Sequence, residues 1–200
     1  MTRWAFEDRE RALEEAFFKK KEEELLKGQK KSTHDIEMQK KLEQLVESTT
    51  GEHNQELVKH LLQIGVRPES WAAISLIPLI EVAWSDGAIE DEEVEAILDS
   101  SHKNGIKKGS EAHLLLERWL GERPGEEFFQ TWSEYMHALS SRISHEKWMN
   151  LRNDIMERTR LIAECAGSLL GLGSLTPGEE DALAKIEAVF DHSSPESESR

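Results

Sequence analysis

Ile80-Glu81-Val82-Ala83-Trp84-Ser85-Asp86-Gly87-Ala88-Ile89-Glu90-Asp91-Glu92-Glu93 is the stretch that decides how this chain folds. Its apolar first half is the end of one helix, Asp86-Gly87 forces a turn, and the four acids open the next helix. Each residue has a local duty. Asp86 accepts hydrogen bonds from turn N–H groups, Gly87 takes a positive φ, Ile89 packs inward, and Glu93 reaches back to the N-cap amide. Acids at a helix N-terminus are also favoured by the helix dipole, by about 0.3–1 kcal/mol each. That is reason enough for the run without any ligand.

The layout recurs 86 residues later: Gly87 falls on Gly173, Ile89 on Leu175, Glu90 on Thr176, Glu93 on Glu179 and Ile97 on Leu183. Each copy reads as an apolar helix, a glycine turn, a lone aliphatic, an N-cap and a Glu at the third helical position. Two such helix–turn–helix units pack face to face, each burying the other's apolar side. In the second copy Leu172 and Thr176 stand where the first has acids, so only Glu179 and Glu180 remain to bind anything.

Outward from these turns the helical period runs almost end to end, and no alternating run rich in Val, Ile and Thr predicts a strand. The expectation is an all-α bundle of about seven helices. The spacing predicts helices over 54–64, 68–85 (kinked by Pro78), 90–103, 110–121, 124–141, 144–170 and 177–190. Gly65 is read as a C-cap and Gly105 and Gly109 as turn residues, while Thr176-Pro177-Gly178-Glu179 carries a full helix start. Ahead of the bundle, 4–29 is a Glu/Lys-rich helix with a narrow stripe of Phe6, Leu13, Phe17 and Leu25. A second helix over 33–47, capped by Ser32, carries Ile36, Leu42, Leu45 and Val46, and polar Ser48–His53 reads as a linker. Residues 1–48 are therefore expected to form a charged helical arm that docks on a protein partner, on another copy or loosely on the body. The domain is expected over 54–191, with a disordered tail at 192–200.

The 200-residue chain carries a net charge of −15, unevenly spread. Residues 1–50 hold 11 Lys/Arg against 12 Asp/Glu, and residues 51–200 hold 14 against 28. A body of that sign repels nucleic acid and anionic lipid and suits a cation or a basic partner. No uncharged apolar run reaches the roughly 18 residues a membrane span needs. Cys165 is the one cysteine, so no internal disulfide forms; a cytoplasmic, reducing setting is the expectation. The eight histidines show no zinc-hydrolase spacing, and there is no phosphate loop, dinucleotide fingerprint or nucleophile elbow. The six tryptophans and Phe128-Phe129 fall at helical spacings and read as core.

Val82-Ala83-Trp84-Ser85-Asp86-Gly87-Ala88-Ile89 followed by Glu93 resembles the TerB-like family of tellurite-resistance and related bacterial proteins. Ala166-Gly167-Ser168-Leu169-Leu170-Gly171-Leu172-Gly173-Ser174-Leu175 followed by Glu179-Glu180 is similar to its second half, so the resemblance covers about 55–191. It implies an all-helical domain with acidic residues gathered at one end to bind divalent cations, Ca²⁺ or Mg²⁺, and a role in stress or toxic-oxyanion resistance. It implies no enzymatic activity.

The candidate cation ligands are Asp86, Glu90, Glu93 and Glu179, with Gly87, Ile89, Gly173, Leu175 and Thr176 as turn residues. Asp86, Gly87, Ile89 and Glu93 also match the second half of an EF-hand loop, but Val82 and Trp84 occupy the earlier ligand positions and offer no oxygen. Any ion held here is weakly bound and rich in water. Three readings follow: a cation-responsive, non-enzymatic binding module; a structural scaffold or adaptor whose acidic turn only caps helices; and, weakest, an enzyme, since no nucleophile–base pair is legible.

Overall fold

The computed structural model describes residues 33–169 and 175–193, with Lys21 alone before them. The predicted helix 4–29, Ser32, the glycine turn with Gly173, and the tail from 194 lie outside the described residues. Among the described residues every regular element is helical and there is no strand.

Residues 33–50, here α1, are helical. The compact unit Leu42–Arg200 begins within them. That is earlier than the boundary at 48–54 expected from the polar stretch, and the cause is a stripe. Leu42, Val46 and Thr50 recur every four residues and all are fully buried. Thr49 and Thr50 do not break the helix, because their hydroxyls donate to the carbonyls of Leu45 and Val46, both at 2.8 Å.

Helix α2, Gln55–Gln63, is capped by Asn54, whose Oδ1 accepts from the Leu57 N–H at 3.0 Å, and it ends before Gly65 at φ +89°. The segment predicted as one kinked helix is two. A 3-10 helix, Pro68–Leu76, gives way to α3, Ile77–Ala83. Pro78 has no N–H to donate four residues back, and the Ile77 N–H bonds instead to the Ile74 carbonyl. Helices α4 (Asp91–Lys103) and α5 (Glu111–Gly121) are joined through Gly105 and Gly109, both at positive φ, and Ser110 caps α5. Helix α6, Glu127–Ser140, starts three residues after the Pro124 expected to open it. Helix α7 is His145–Leu169; α8, Pro177–His192, is followed by its C-cap Ser193, which is 7% exposed, so residues 192 and 193, expected in the tail, belong to the helix end.

The aromatic residues build the core and pin it with polar atoms. Trp132, Trp148, Phe128 and Phe190 are at most 2% exposed. The indole N–H of Trp119 donates to the Ile64 carbonyl at 3.0 Å, that of Trp148 to Phe190 at 3.2 Å, and that of Trp84 to Trp119 at 2.9 Å. Trp71 is half-buried, edge-on to Tyr135 at 5.4 Å. Helices α3 and α4 pack on α7, α3 also on α8, and α7 against α8. The two expected helix–turn–helix units thus bury their apolar sides against each other.

Candidate functional site

At the rim where these units meet, the two helix starts repeat one another. In the first, the Glu90 N–H donates to Glu93 Oε2 at 2.9 Å. In the second, the Thr176 N–H donates to Glu179 Oε2 at 2.6 Å, and the Glu179 N–H donates back to Thr176 Oγ1 at 3.2 Å. Glu93 and Glu179 are each 3% exposed, unusual burial for a carboxylate, and in each case the bonded backbone amide offsets part of its desolvation. The turn of the first unit closes as its residues require. Asp86 Oδ1 accepts from the Ala88 N–H at 3.1 Å, Gly87 stands at φ +97°, and Ile89 packs half-buried on the core, as does Leu175 in the second unit.

A residue that sequence reasoning passed over brings the two starts together. A Cβ placed on Gly178 would lie 2.9 Å from the Ser85 carbonyl oxygen and 3.5 Å from the Asp86 nitrogen. The first turn of α8 therefore rests directly on the turn that follows α3, at a distance only glycine permits. The signal was present in the chain: glycine in the first turn of a helix, where almost any residue is a better helix former. Below this contact Glu81 and Lys185 pair at 2.6 Å, tying α3 to α8, and the same ammonium lies 4.1 Å from the centre of the Phe129 ring. A cavity of about 240 Å³ opens there between Ile80, Trp84, Ser85, Phe128 and Ala182.

Crowding four acids has an electrostatic consequence. Burial pushes the Glu93 carboxyl up to about 7; the Glu90 N–H opposes this, and the charges of Asp86, Glu179 and Glu90 add to it. On α7, half-buried Cys165 has its thiol raised by burial and by the charges of Glu93 and Glu164, the wrong direction for a reactive thiolate. Glu90 Oε2 and Ser85 Oγ are buried without a hydrogen-bond partner.

Of the candidate ligands, Asp86, Glu90 and Glu179 are thus close enough for their charges to act on Glu93. Among the described residues no group of three or more His, Cys, Asp or Glu side chains is placed to hold a metal ion. Glu93 and Glu179 each direct an oxygen at a backbone N–H instead. What the arrangement does chemically is close two helix starts and hold a proton near neutrality. Against known proteins, no family model matches the chain, and no curated protein or solved structure does.

Proposed function

We propose that this chain is a non-enzymatic, TerB-like helical binding module of the scaffold kind, in which the acidic rim is a clasp between two helix–turn–helix units. The observation that carries the reading is the paired use of Glu93 and Glu179: both are buried and both bond to their own helix start. The seat of Gly178 on Ser85 supports it, because the clasp then joins two units far apart in the chain. The resemblance to TerB-like proteins is what supports a role in bacterial stress or tellurite-resistance processes.

Thermal unfolding with and without Ca²⁺ or Mg²⁺ tests the reading. A site with a Kd near 1 mM would add about 1.4 kcal/mol of stability at about 10 mM ion. The scaffold reading expects no change in Tm beyond that given by NaCl at equal ionic strength. A several-degree rise that disappears in Asp86→Asn/Glu90→Gln would overturn it in favour of a cation-responsive rim.

A further inference from the structure

The chain leaves α4 through Lys103-Asn104-Gly105-Ile106-Lys107-Lys108, and of its four asparagines Asn104 alone is followed by glycine. That order has a chemical meaning. The main-chain nitrogen after an asparagine can attack the side-chain Cγ and close a five-membered ring, and a following glycine leaves that nitrogen least hindered. The surroundings favour the attack. Asn104 and Gly105 are exposed, and a Cβ built on Gly105 meets nothing within 4 Å. Residues 102–109 hold three lysines and no acid, inside a stretch, 51–200, where acids outnumber bases 28 to 14. This local positive charge favours the deprotonated nitrogen that makes the attack.

The fold opposes it. Helix α4 closes in a Schellman turn: the Gly105 N–H, at φ +82°, donates to the His102 carbonyl and the Ile106 N–H to the Ser101 carbonyl, both at 3.0 Å. The attacking nitrogen is therefore engaged. So is the leaving one, since Asn104 Nδ2 donates to the Ser100 carbonyl at 2.7 Å. At ψ +13° Asn104 also turns the Gly105 nitrogen away from its own Cβ, whereas ring closure needs the two eclipsed. Ile106, 4% exposed, anchors the turn in the core.

We propose that Asn104 is a site of spontaneous deamidation, restrained by this turn and released when the turn opens. In the open state the Gly105 nitrogen gives up its proton to solvent and bonds to Asn104 Cγ. The Cγ–Nδ2 bond breaks, and that nitrogen takes a proton and leaves as ammonia. Water then opens the ring at Cγ, giving aspartate, or at the main-chain carbonyl, giving isoaspartate. Either product loses the donor to Ser100 and puts negative charge at a helix C-terminus, where the dipole disfavours it. Isoaspartate also adds a carbon to the main chain just before Gly105, so the two bonds of the turn no longer fit and Ile106 loses its anchor.

The full chain, kept at about pH 8 to favour the deprotonated nitrogen, is incubated in buffer and in denaturing urea. Digestion after glutamate and mass spectrometry then read the mass gained as an amide becomes an acid. In urea Asn104 is expected to convert ahead of Asn54, Asn150 and Asn153. In buffer its conversion is expected to be detectable but about ten- to a hundredfold slower, as for a helix end that opens locally. Ile106→Val trims the anchor and should speed the reaction in buffer about 2–10-fold without changing it in urea. Ile97→Val, in the same helix but outside the turn, should leave both rates unchanged. Four results would each overturn the proposal: Asn104 lagging another asparagine in urea, equal rates in buffer and urea, no conversion in buffer, or equal effects of the two valine variants.

Discussion

Glu93→Gln should make the protein more stable at alkaline pH and leave it little changed in acid. Burial pushes the wild-type carboxyl up to about 7 when folded, against 4.5 for a free glutamate side chain. Below about 4.5 it is protonated in both states and its contribution to stability is fully present. Between 4.5 and 7 the unfolded chain has released the proton while the folded chain retains it. The unfolded state then binds fewer protons, so stability falls with rising pH, by about 1.4 kcal/mol per pH decade. Above about 7 both states are ionised and the loss levels off at about 3 kcal/mol.

Glutamine is neutral throughout, keeps an oxygen for the Glu90 N–H, and offers its NH₂ to the surrounding carboxylates. Urea unfolding followed by tryptophan fluorescence, at fixed salt from pH 4.5 to 8.5, gives the stability of both proteins at each pH. Subtracting them cancels the titrating groups that do not interact with Glu93. The difference should climb by about 3 kcal/mol toward alkaline pH, whatever constant offset the substitution carries. Asp86→Asn, which removes one of the charges raising the Glu93 carboxyl, should shrink that climb. A flat difference curve would refute the reasoning, because it would mean Glu93 is ionised at neutral pH like an exposed glutamate.

Two further outcomes test the fold around the rim. Deleting residues 1–41 should leave unfolding cooperative and the midpoint nearly unchanged, while deleting 1–48 removes fully buried Leu42 and Val46 and should cost about 3–6 kcal/mol by urea titration. Equal stabilities would mean that this stripe contributes nothing. Gly178→Ala should destabilise by about 1–3 kcal/mol despite alanine's helix propensity, since its Cβ meets backbone. Gly121→Ala, with nothing within 4 Å of its Cβ, should be neutral or slightly stabilising by calorimetry.

What the chain disclosed and what it withheld divide by sequence distance. The cap at Thr176, the glycine turns and the all-helical class are set by residues within four positions of one another, and the periodicity carries them. The 3-10 segment before Pro78 is also local, but it depends on how a carbonyl ladder recovers after a missing donor, which a kink assignment does not resolve. The body's start at Leu42 was concealed by composition. Ser48-Thr49-Thr50-Gly51 reads as a linker unless the threonine hydroxyls turn back onto their own helix, which they do.

The rim itself could be half read. Its caps are local, whereas the contact of Gly178 with Ser85 and the effect of Glu179 on Glu93 couple positions more than eighty residues apart. This coupling gives a physical reason for the unequal copies. Burial already raises Glu93 toward neutrality, and three neighbouring acids add to the shift. An acid at 176, matching Glu90, would add another charge to a rim where Glu93 and Glu179 are almost wholly buried. Each like charge brought within a few ångströms of a buried carboxylate raises the cost of ionising it. Thr176 avoids that repulsion and still supplies the hydroxyl that closes the second cap. A rim selected to grip a cation would gain from an acid at 176 as well, whereas a clasp is served by the cap glutamate of each copy and the Thr176 hydroxyl.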